Sequence, residues 1–348
     1  MDHLDDEIIK EMKNESLRYV SDESPGYFRQ KNRNTFSYYD TEGNRIKNEV
    51  TIARIQKLVI PPAWKNVWIC PRANGHLQAT GIDEKGRKQY LYHEDWKKIT
   101  QENKFSKMID FGLSLPKIRS KVDYDMKLDN FDKRKIIATM VWILEHTFVR
   151  IGNEEYQKEN NSFGLTTLRN RHAEVDGKQI VFRFRGKHGV ENVIEVTNPT
   201  VAKTIKKCIE LPGYELFQYI DEDGVRHVVD SQDVNDFLKE ITDDEFTAKD
   251  FRTWGATNLS SKILYAFGDA QNRTILQKNI RSVVKQVANH LNNTVSVCRN
   301  YYIHPTVIKT YSKKILVPHF EGHKNSKPKI KGLNWSEEAL IKLLQKHQ

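Results

Sequence analysis

Cysteine is scarce in this chain, and long apolar runs are missing. The 348 residues hold three cysteines, Cys70, Cys208 and Cys298, far apart in the sequence. They form no CxxC pair, and an odd number argues against a disulfide framework. A reducing cytoplasm is the compartment such a chain is expected to occupy. No run approaches the roughly 18–20 apolar residues that a membrane span needs. The opening residues, Met1-Asp2-His3-Leu4-Asp5-Asp6-Glu7, are acidic and contain no apolar segment, so no secretory signal is expected.

The signatures of metal and nucleotide chemistry are missing too. There is no HExxH, no zinc-ligand spacing and no GxxxxGK[ST] phosphate loop. One acidic cluster occurs, Asp221-Glu222-Asp223-Gly224, between Gln218-Tyr219-Ile220 and Val225-Arg226-His227. It reads as a hairpin turn, not as a metal site. Neither a metal nor a nucleotide cofactor is therefore expected. Anionic charge is also in deficit: 56 Lys and Arg against 46 Asp and Glu leave a net charge of +10. Such an excess suits a polyanionic partner, although basic charge alone serves solubility equally well.

The placement of the cations says more. Lys85-Gly86-Arg87-Lys88-Gln89-Tyr90-Leu91-Tyr92 interleaves them with aromatics, a pattern suited to stacking and phosphate contact together. In Phe182-Arg183-Phe184-Arg185-Gly186-Lys187, strand alternation puts Arg183, Arg185 and Lys187 on one face and the phenylalanines on the other.

The chain divides by composition. Up to about residue 95 it reads as strands separated by turns at Asp40-Thr41-Glu42-Gly43-Asn44, Ala73-Asn74-Gly75-His76 and Asp83-Glu84-Lys85-Gly86. Ile60-Pro61-Pro62-Ala63-Trp64 reads as a rigid connector, and the Lys-rich stretch from Trp96 to Lys107 as a linker. Beyond it helical spacing dominates. Ile137, Met140 or Val141, Leu144 and Phe148 share a face of a helix expected to stop near Gly152. Leu259, Ile263, Leu264 and Phe267 repeat the pattern, as do Val283, Val284, Val287 and Leu291. A hairpin interrupts, Lys178–Arg185 against Val190–Val196, turning through Gly186-Lys187-His188-Gly189. After Tyr311 a Lys-rich loop is expected up to Gly332, then a helix capped by Ser336, with Trp335 and Leu340 closing a hydrophobic staple. The fold class is therefore α+β. An antiparallel β-sheet domain over residues 1–96 precedes a mainly helical domain over 97–348 that carries a small hairpin. Residues 314–348 form a basic tail and terminal helix.

Five residues form a candidate constellation: Arg150, Lys187, Arg252, Asn293 and Tyr302. Three cations, an amide and a phenol suffice to break a phosphodiester by covalent catalysis. A phenolate attacks phosphorus, two guanidiniums hold the non-bridging oxygens, and an amine protonates the departing oxygen. Asn293 can donate a hydrogen bond but cannot act as acid or base. Thr247 with Asp250 reads as a capping box opening the helix that bears Arg252, and a helix N-terminus favours phosphate.

The contexts Phe148-Val149-Arg150-Ile151-Gly152-Asn153, Arg185-Gly186-Lys187-His188-Gly189, Lys249-Asp250-Phe251-Arg252-Thr253-Trp254-Gly255 and Asn293-Thr294 leading to Tyr301-Tyr302-Ile303-His304-Pro305 resemble, in order and spacing, the type IB DNA topoisomerases of the compact bacterial and poxvirus branch. The resemblance spans roughly residues 20 to 310. It implies a topoisomerase IB or tyrosine recombinase-like fold and a 3′-phosphotyrosine intermediate. It selects Tyr302 over Tyr301, since the family's tyrosine precedes Ile or Val and lies nine residues after the His or Asn. Tyr156 becomes a phosphate contact, and the run containing Arg87, Lys88, Gln89, Tyr90 and Tyr92 a major-groove strand, with Gln89 suited to adenine. The family often reads Asn-Thr-Pro-Ala where this chain has Asn293-Thr294-Val295-Ser296. The implied partner is double-stranded DNA, held by a monomer closing as a clamp near the nucleoid, with no nucleotide and no membrane. A tyrosine recombinase and a non-catalytic DNA-binding protein are the competing readings.

Overall fold

A computed structural model describes residues 12, 15–33, 35–84, 86–154, 157–158, 161–324 and 326–347. The chain forms two compact units, residues 1–106 and 107–348. Among the described residues no helix is long and apolar enough to cross a membrane.

The first unit is built on five antiparallel strands: β1 (Tyr27–Asn32), β2 (Thr35–Tyr39), β3 (Lys65–Ile69), β4 (Leu77–Ile82) and β5 (Lys88–Tyr92), in the order β2-β1-β3-β4-β5. Alternation sends Val67, Ile69 and Ala79 to one face, where they bury Ile55 of a helix, α1 (Glu49–Lys57). That helix interrupts a region expected to be mostly strand. Asn48 caps it, accepting from the Thr51 amide at 2.9 Å. The diproline connector delivers the Trp64 ring onto Gly81, where an added Cβ would lie 2.9 Å from the ring. Arg29 holds this connector through the Ile60, Pro61 and Trp64 carbonyls at 3.0, 2.9 and 2.8 Å. The stretch read as a linker is helical, α2 (Glu94–Ser106), and the unit boundary falls at its end, ten residues beyond position 96. Ile99 clusters with Met12 and Leu17, so the Lys-rich face is only the solvent side of this helix.

The second unit is mainly helical. It begins with α3 (Met108–Met126) and α4 (Lys133–Thr147), followed by a three-stranded antiparallel sheet of β6 (Ala173–Asp176), β7 (Gln179–Arg185) and β8 (Glu191–Thr197). The expected hairpin is β7–β8; β6 is an additional strand. Then come α5 (Pro199–Glu210), the acidic-turn hairpin β9 (Gln218–Ile220) and β10 (Arg226–Val228), and α6 (Ser231–Thr242). The chain continues through α7 (Ala248–Phe267), α8 (Arg273–His290), α9 (Val295–Tyr301), α10 (Pro305–Ser312), α11 (Leu316–Lys324) and α12 (Trp335–His347).

Several local expectations give way to packing. Helix α4 is buried almost all round, from Ile136 to Leu144, and stops at Phe148, whose φ of 53° is left-handed. Arg150 thus lies in the loop beyond, not on the helix. In α7 the buried positions are Phe251, Trp254, Gly255, Ala256, Thr257, Ser260, Ser261 and Leu264, while Phe267 is 40% exposed. Small residues share that face with Phe251, Trp254 and Leu264, so of the expected stripe Leu259, Ile263, Leu264 and Phe267 only Leu264 is buried. The stretch after Tyr311 expected to be a loop carries a helix, α11. Asn334, not Ser336, caps α12, accepting from the Ser336 and Glu337 amides at 3.0 and 3.1 Å. Arg119 holds that helix through buried Glu337 at 2.6 Å.

Candidate active site

Phe148 assembles the site. Its ring lies where a side chain on Gly255 would be, with an added Cβ only 2.2 Å from the ring, so the end of α4 rests directly on α7. The Phe148 carbonyl accepts from Arg252 Nη1, and Arg252 Nη2 donates to the Leu291 carbonyl at 2.9 Å. The Thr247 amide donates to Asp250 at 2.8 Å, so the capping box places Arg252 in the opening turns of α7. Arg150 follows two residues after Phe148. Its carbonyl accepts from Leu165, and Gly152 (φ +102°) packs on Gly164, where an added Cβ would lie 2.5 Å from the Gly152 Cα. From this anchored loop Arg150 Nη2 donates to the Asn293 Oδ1 at 2.5 Å and to the Asn292 carbonyl at 3.2 Å.

The electrostatics are those of a site awaiting an anion. Arg252 is only 5% exposed. Burial, then the charge of Arg252, push the Arg150 guanidinium down to about 10, and the Tyr302 phenol opposes this. Burial likewise lowers Arg252, again opposed by Tyr302. Among the described residues neither guanidinium has a carboxylate partner. Arg252 Nε and Asn293 Nδ2 are buried N–H donors without a hydrogen-bond partner. Buried cations and orphaned donors cost several kcal/mol unless something satisfies them. An oxyanion of phosphate would do so.

Tyr302 meets this pocket through its ring, whose centroid is 5.4 Å from the Arg252 Cζ. The half-buried tyrosine ends α9; Tyr301 beside it is 44% exposed. The Thr257 hydroxyl, from the same helix as Arg252, donates to the Tyr302 carbonyl at 3.0 Å and accepts from the His304 amide at 3.1 Å. Thr294 caps α9, and Val295 takes its first helical position, where a proline would cost no hydrogen bond. Cys298 is no rival nucleophile: burial pushes its thiol up to about 11.

Lys187 stands on the tip of β7–β8 in a single 3-10 turn, Lys187–Gly189. Alternation holds along β7: Phe182 and Phe184 are buried while Arg183 and Arg185 are exposed. A cavity of about 320 Å³ is lined by Phe148, Arg150, Lys187, Asn192, Arg252 and Asn292 among others. Tyr302 is not part of its wall. The structure therefore brings Arg150, Arg252, Asn293 and Tyr302 together and places Lys187 on the same cavity as both arginines.

The candidates of the first unit separate. Lys88, Tyr90 and Tyr92 share the exposed face of edge strand β5, the two rings stacked with centroids 6.1 Å apart and Lys88 Nζ 5.6 Å from the Tyr90 centroid. Gln89 faces the other way. Its amide donates to Asp83 at 2.9 Å, and Arg87 pairs with the same carboxylate at 2.7 Å. Strand alternation thus turns Gln89, expected to contact adenine, away from the face that carries the tyrosines. Tyr156 lies outside the described residues. Sequence reasoning missed Asn192, Thr257 and Asn292. Only the polar residue at a core position of β8 could have signalled the first.

Comparison with known proteins identifies the family. A family model described as the catalytic core of eukaryotic DNA topoisomerase I matches residues 93–326, and one described as the N-terminal domain of bacterial DNA topoisomerase IB matches residues 35–83. DNA topoisomerase 1B of Acanthamoeba polyphaga mimivirus is 34% identical over 310 residues, covering 87% of this chain and 92% of that protein. DNA topoisomerase 1B of vaccinia virus (strain Copenhagen) is 25% identical over 244 residues, 67% of this chain and 72% of its own. DNA topoisomerase 1 of Mycosarcoma maydis is 25% identical over 244 residues, only 23% of its length. With the core model spanning most of the second unit and the mimivirus protein matching almost end to end, the chain belongs to the type IB DNA topoisomerase family, in its compact viral and bacterial-like form.

Proposed function

We propose that this protein relaxes supercoiled duplex DNA by cutting one strand, letting it swivel and resealing it. The observation that carries the reading is the pair of buried Arg252 and half-buried Arg150, without a carboxylate partner among the described residues and with unsatisfied N–H donors on Arg252 and Asn293, beside the Tyr302 phenol. The Tyr302 hydroxyl gives up its proton to solvent and its oxygen attacks phosphorus. The P–O5′ bond breaks, Lys187 protonates the 5′ oxygen, and a 3′-phosphotyrosine remains. Arg150, Arg252 and the Asn293 amide stabilise the charge that grows on the non-bridging oxygens. Resealing reverses these transfers. One phosphodiester is exchanged for another of similar energy, so no nucleotide needs to be consumed.

In this reading the first unit binds duplex through the Lys88-Tyr90-Tyr92 face, with Arg183 and Arg185 adding phosphate contacts from the second. Gln89 makes base contact only after leaving Asp83. A monomer closing as a clamp suffices for one strand break, within a tyrosine recombinase and topoisomerase IB-like architecture, on DNA of the cytoplasmic nucleoid.

Negatively supercoiled plasmid, incubated with the protein in EDTA without ATP, should yield a ladder of relaxed topoisomers whatever its sequence. Relaxation only of plasmids bearing a particular site would favour a recombinase, and binding without relaxation a non-catalytic protein. Tyr302→Phe should form no covalent adduct yet bind DNA nearly as well, and Tyr301→Phe should remain active. Adducts formed by the Tyr302 variant would overturn the assignment.

A further inference from the structure

Residue 192 is an asparagine where strand alternation assigns a core side chain. In β8 the inward positions are Asn192, Ile194 and Val196, and Asn192 is 7% exposed. A buried amide at an apolar position is costly unless its hydrogen bonds are made. Here they are made on both sides. Asn192 Nδ2 donates to the Val190 carbonyl at 2.8 Å, the same carbonyl that accepts from the Gly186 amide at 2.8 Å. These two bonds close the loop that carries Lys187. The contact is close enough to require glycine at 186, since an added Cβ would lie 2.4 Å from Asn192 Nδ2.

The other end of the Asn192 amide reaches away from the hairpin. Its Oδ1 accepts from Asn292 Nδ2 at 2.6 Å. Asn292 sits with φ 49° in the break between α8 and α9. Its carbonyl accepts from Arg150, and the next residue, Asn293, accepts from the same guanidinium nitrogen. One amide–amide bridge therefore joins the tip bearing Lys187 to the turn on which Arg150 and Asn293 rest.

We propose that the Asn192–Asn292 bridge is a positioning device for the general acid, setting the Lys187 tip against the phosphate held by Arg150 and Asn293. It rests on the reading of Lys187 as the proton donor. A lysine on a short tip has several rotatable bonds, so its reach is defined only as well as its base is anchored. Neither asparagine touches the reacting atoms. Their effect passes through Lys187 and is confined to the protonation of the leaving group.

That confinement supplies the test. Single-turnover adduct formation by the full chain is measured on duplexes whose scissile phosphate has a 5′-bridging oxygen or a 5′-bridging sulfur, which leaves without needing a proton. The variants are Lys187→Ala, Asn192→Ala, Asn292→Gly and the Asn192→Ala/Asn292→Gly pair. Glycine accepts the left-handed backbone at 292 and keeps its carbonyl, so this variant removes only the amide. Asn192→Ala and Asn292→Gly should each slow cleavage of the oxygen substrate by about 10–10²-fold, the scale of a misplaced catalytic group. On the sulfur substrate each should come within a few-fold, roughly, of the unaltered protein, and the double variant should be no slower than the worse single one. Equal defects on both substrates, an undiminished rate on oxygen, or additive effects would overturn the bridge. If Lys187→Ala is rescued by sulfur and the asparagine variants are not, the bridge alone falls. If Lys187→Ala itself is not rescued, the acid assignment falls and the proposal with it.

Discussion

Asn293 shows how much one side chain is asked to do. Its Oδ1 takes a hydrogen bond from Arg150, which orients the amide so that Nδ2 is left buried without a partner. An amide so placed can only donate to an anion. Removing it should cost about 10²–10³-fold in cleavage, the usual scale for one oxyanion donor. Asn293→Ala should show that loss in single-turnover adduct formation, whereas Asn293→His should keep most of the rate because an imidazole N–H can donate from the same place. A histidine variant as slow as the alanine one would mean that the Arg150 contact, not the donor, is what matters. At this scale the motifs named five candidate residues, of which the structure brings Arg150, Arg252, Asn293 and Tyr302 together and sets Lys187 on the cavity of both arginines. Asn292 was not, because its role lies in a backbone carbonyl and an amide contact with residue 192, a hundred positions earlier.

Helices α7 and α10 are the elements that hold the segment around Tyr302. The Thr257 hydroxyl of α7 bridges the Tyr302 carbonyl and the His304 amide, and His304 Nδ1 in turn accepts from the Thr306 amide at 3.1 Å to cap α10. His304 is 4% exposed, and burial pushes its pKa down from 6.5 to about 4. The unfolded chain therefore binds a proton that the folded one refuses between these values. Stability is fully present above about pH 6.5 and is lost as pH falls toward 4, by up to roughly 3 kcal/mol for a shift of this size. Asn, a good capping residue, cannot titrate. His304→Asn should thus flatten the fall in Tm between pH 6.5 and 4 when melting is followed across that range. His172, pushed down to about 4 mainly by burial, should keep the fall from vanishing. An unchanged acid profile would show that His304 does not govern this turn.

Across the whole molecule, the chain's partition sets the experiment on DNA affinity. A fragment of residues 107–348 should bind duplex more weakly, with a flatter salt dependence, while retaining some attachment through Tyr302. Each lost phosphate contact should reduce the slope by about 0.9 log units per log of salt. A fragment beginning at residue 97 should behave worse than one beginning at Lys107. It would keep most of α2 without Met12 and Leu17, leaving Ile99 uncovered. Titration from low to high salt, with light scattering on both fragments, measures the two effects. Unchanged affinity and slope after removal of the first unit would deny it a part in binding.

Chemistry and sheet alternation were legible in residue order alone. Hairpin turns advertise themselves through acid-Gly and Asn-Gly pairs, β7 through its strict Phe–Arg alternation, and the site through side-chain types that few other reactions need together. These signals are local: each depends on neighbours within a turn or a strand. Other features were invisible because contact between distant segments decides them. Helix α4 is buried almost all round, so the expected stripe of Ile137, Met140 or Val141 and Leu144 is only part of its buried surface. Gly255 on the inner face of α7 leaves room for the Phe148 ring, a close approach that no hydropathy pattern records. The unsatisfied Arg252 Nε and Asn293 Nδ2, and the tether between residues 192 and 292, exist only once α4, α7, β8 and the α8–α9 turn have met, because an unsatisfied donor is defined by everything that surrounds it.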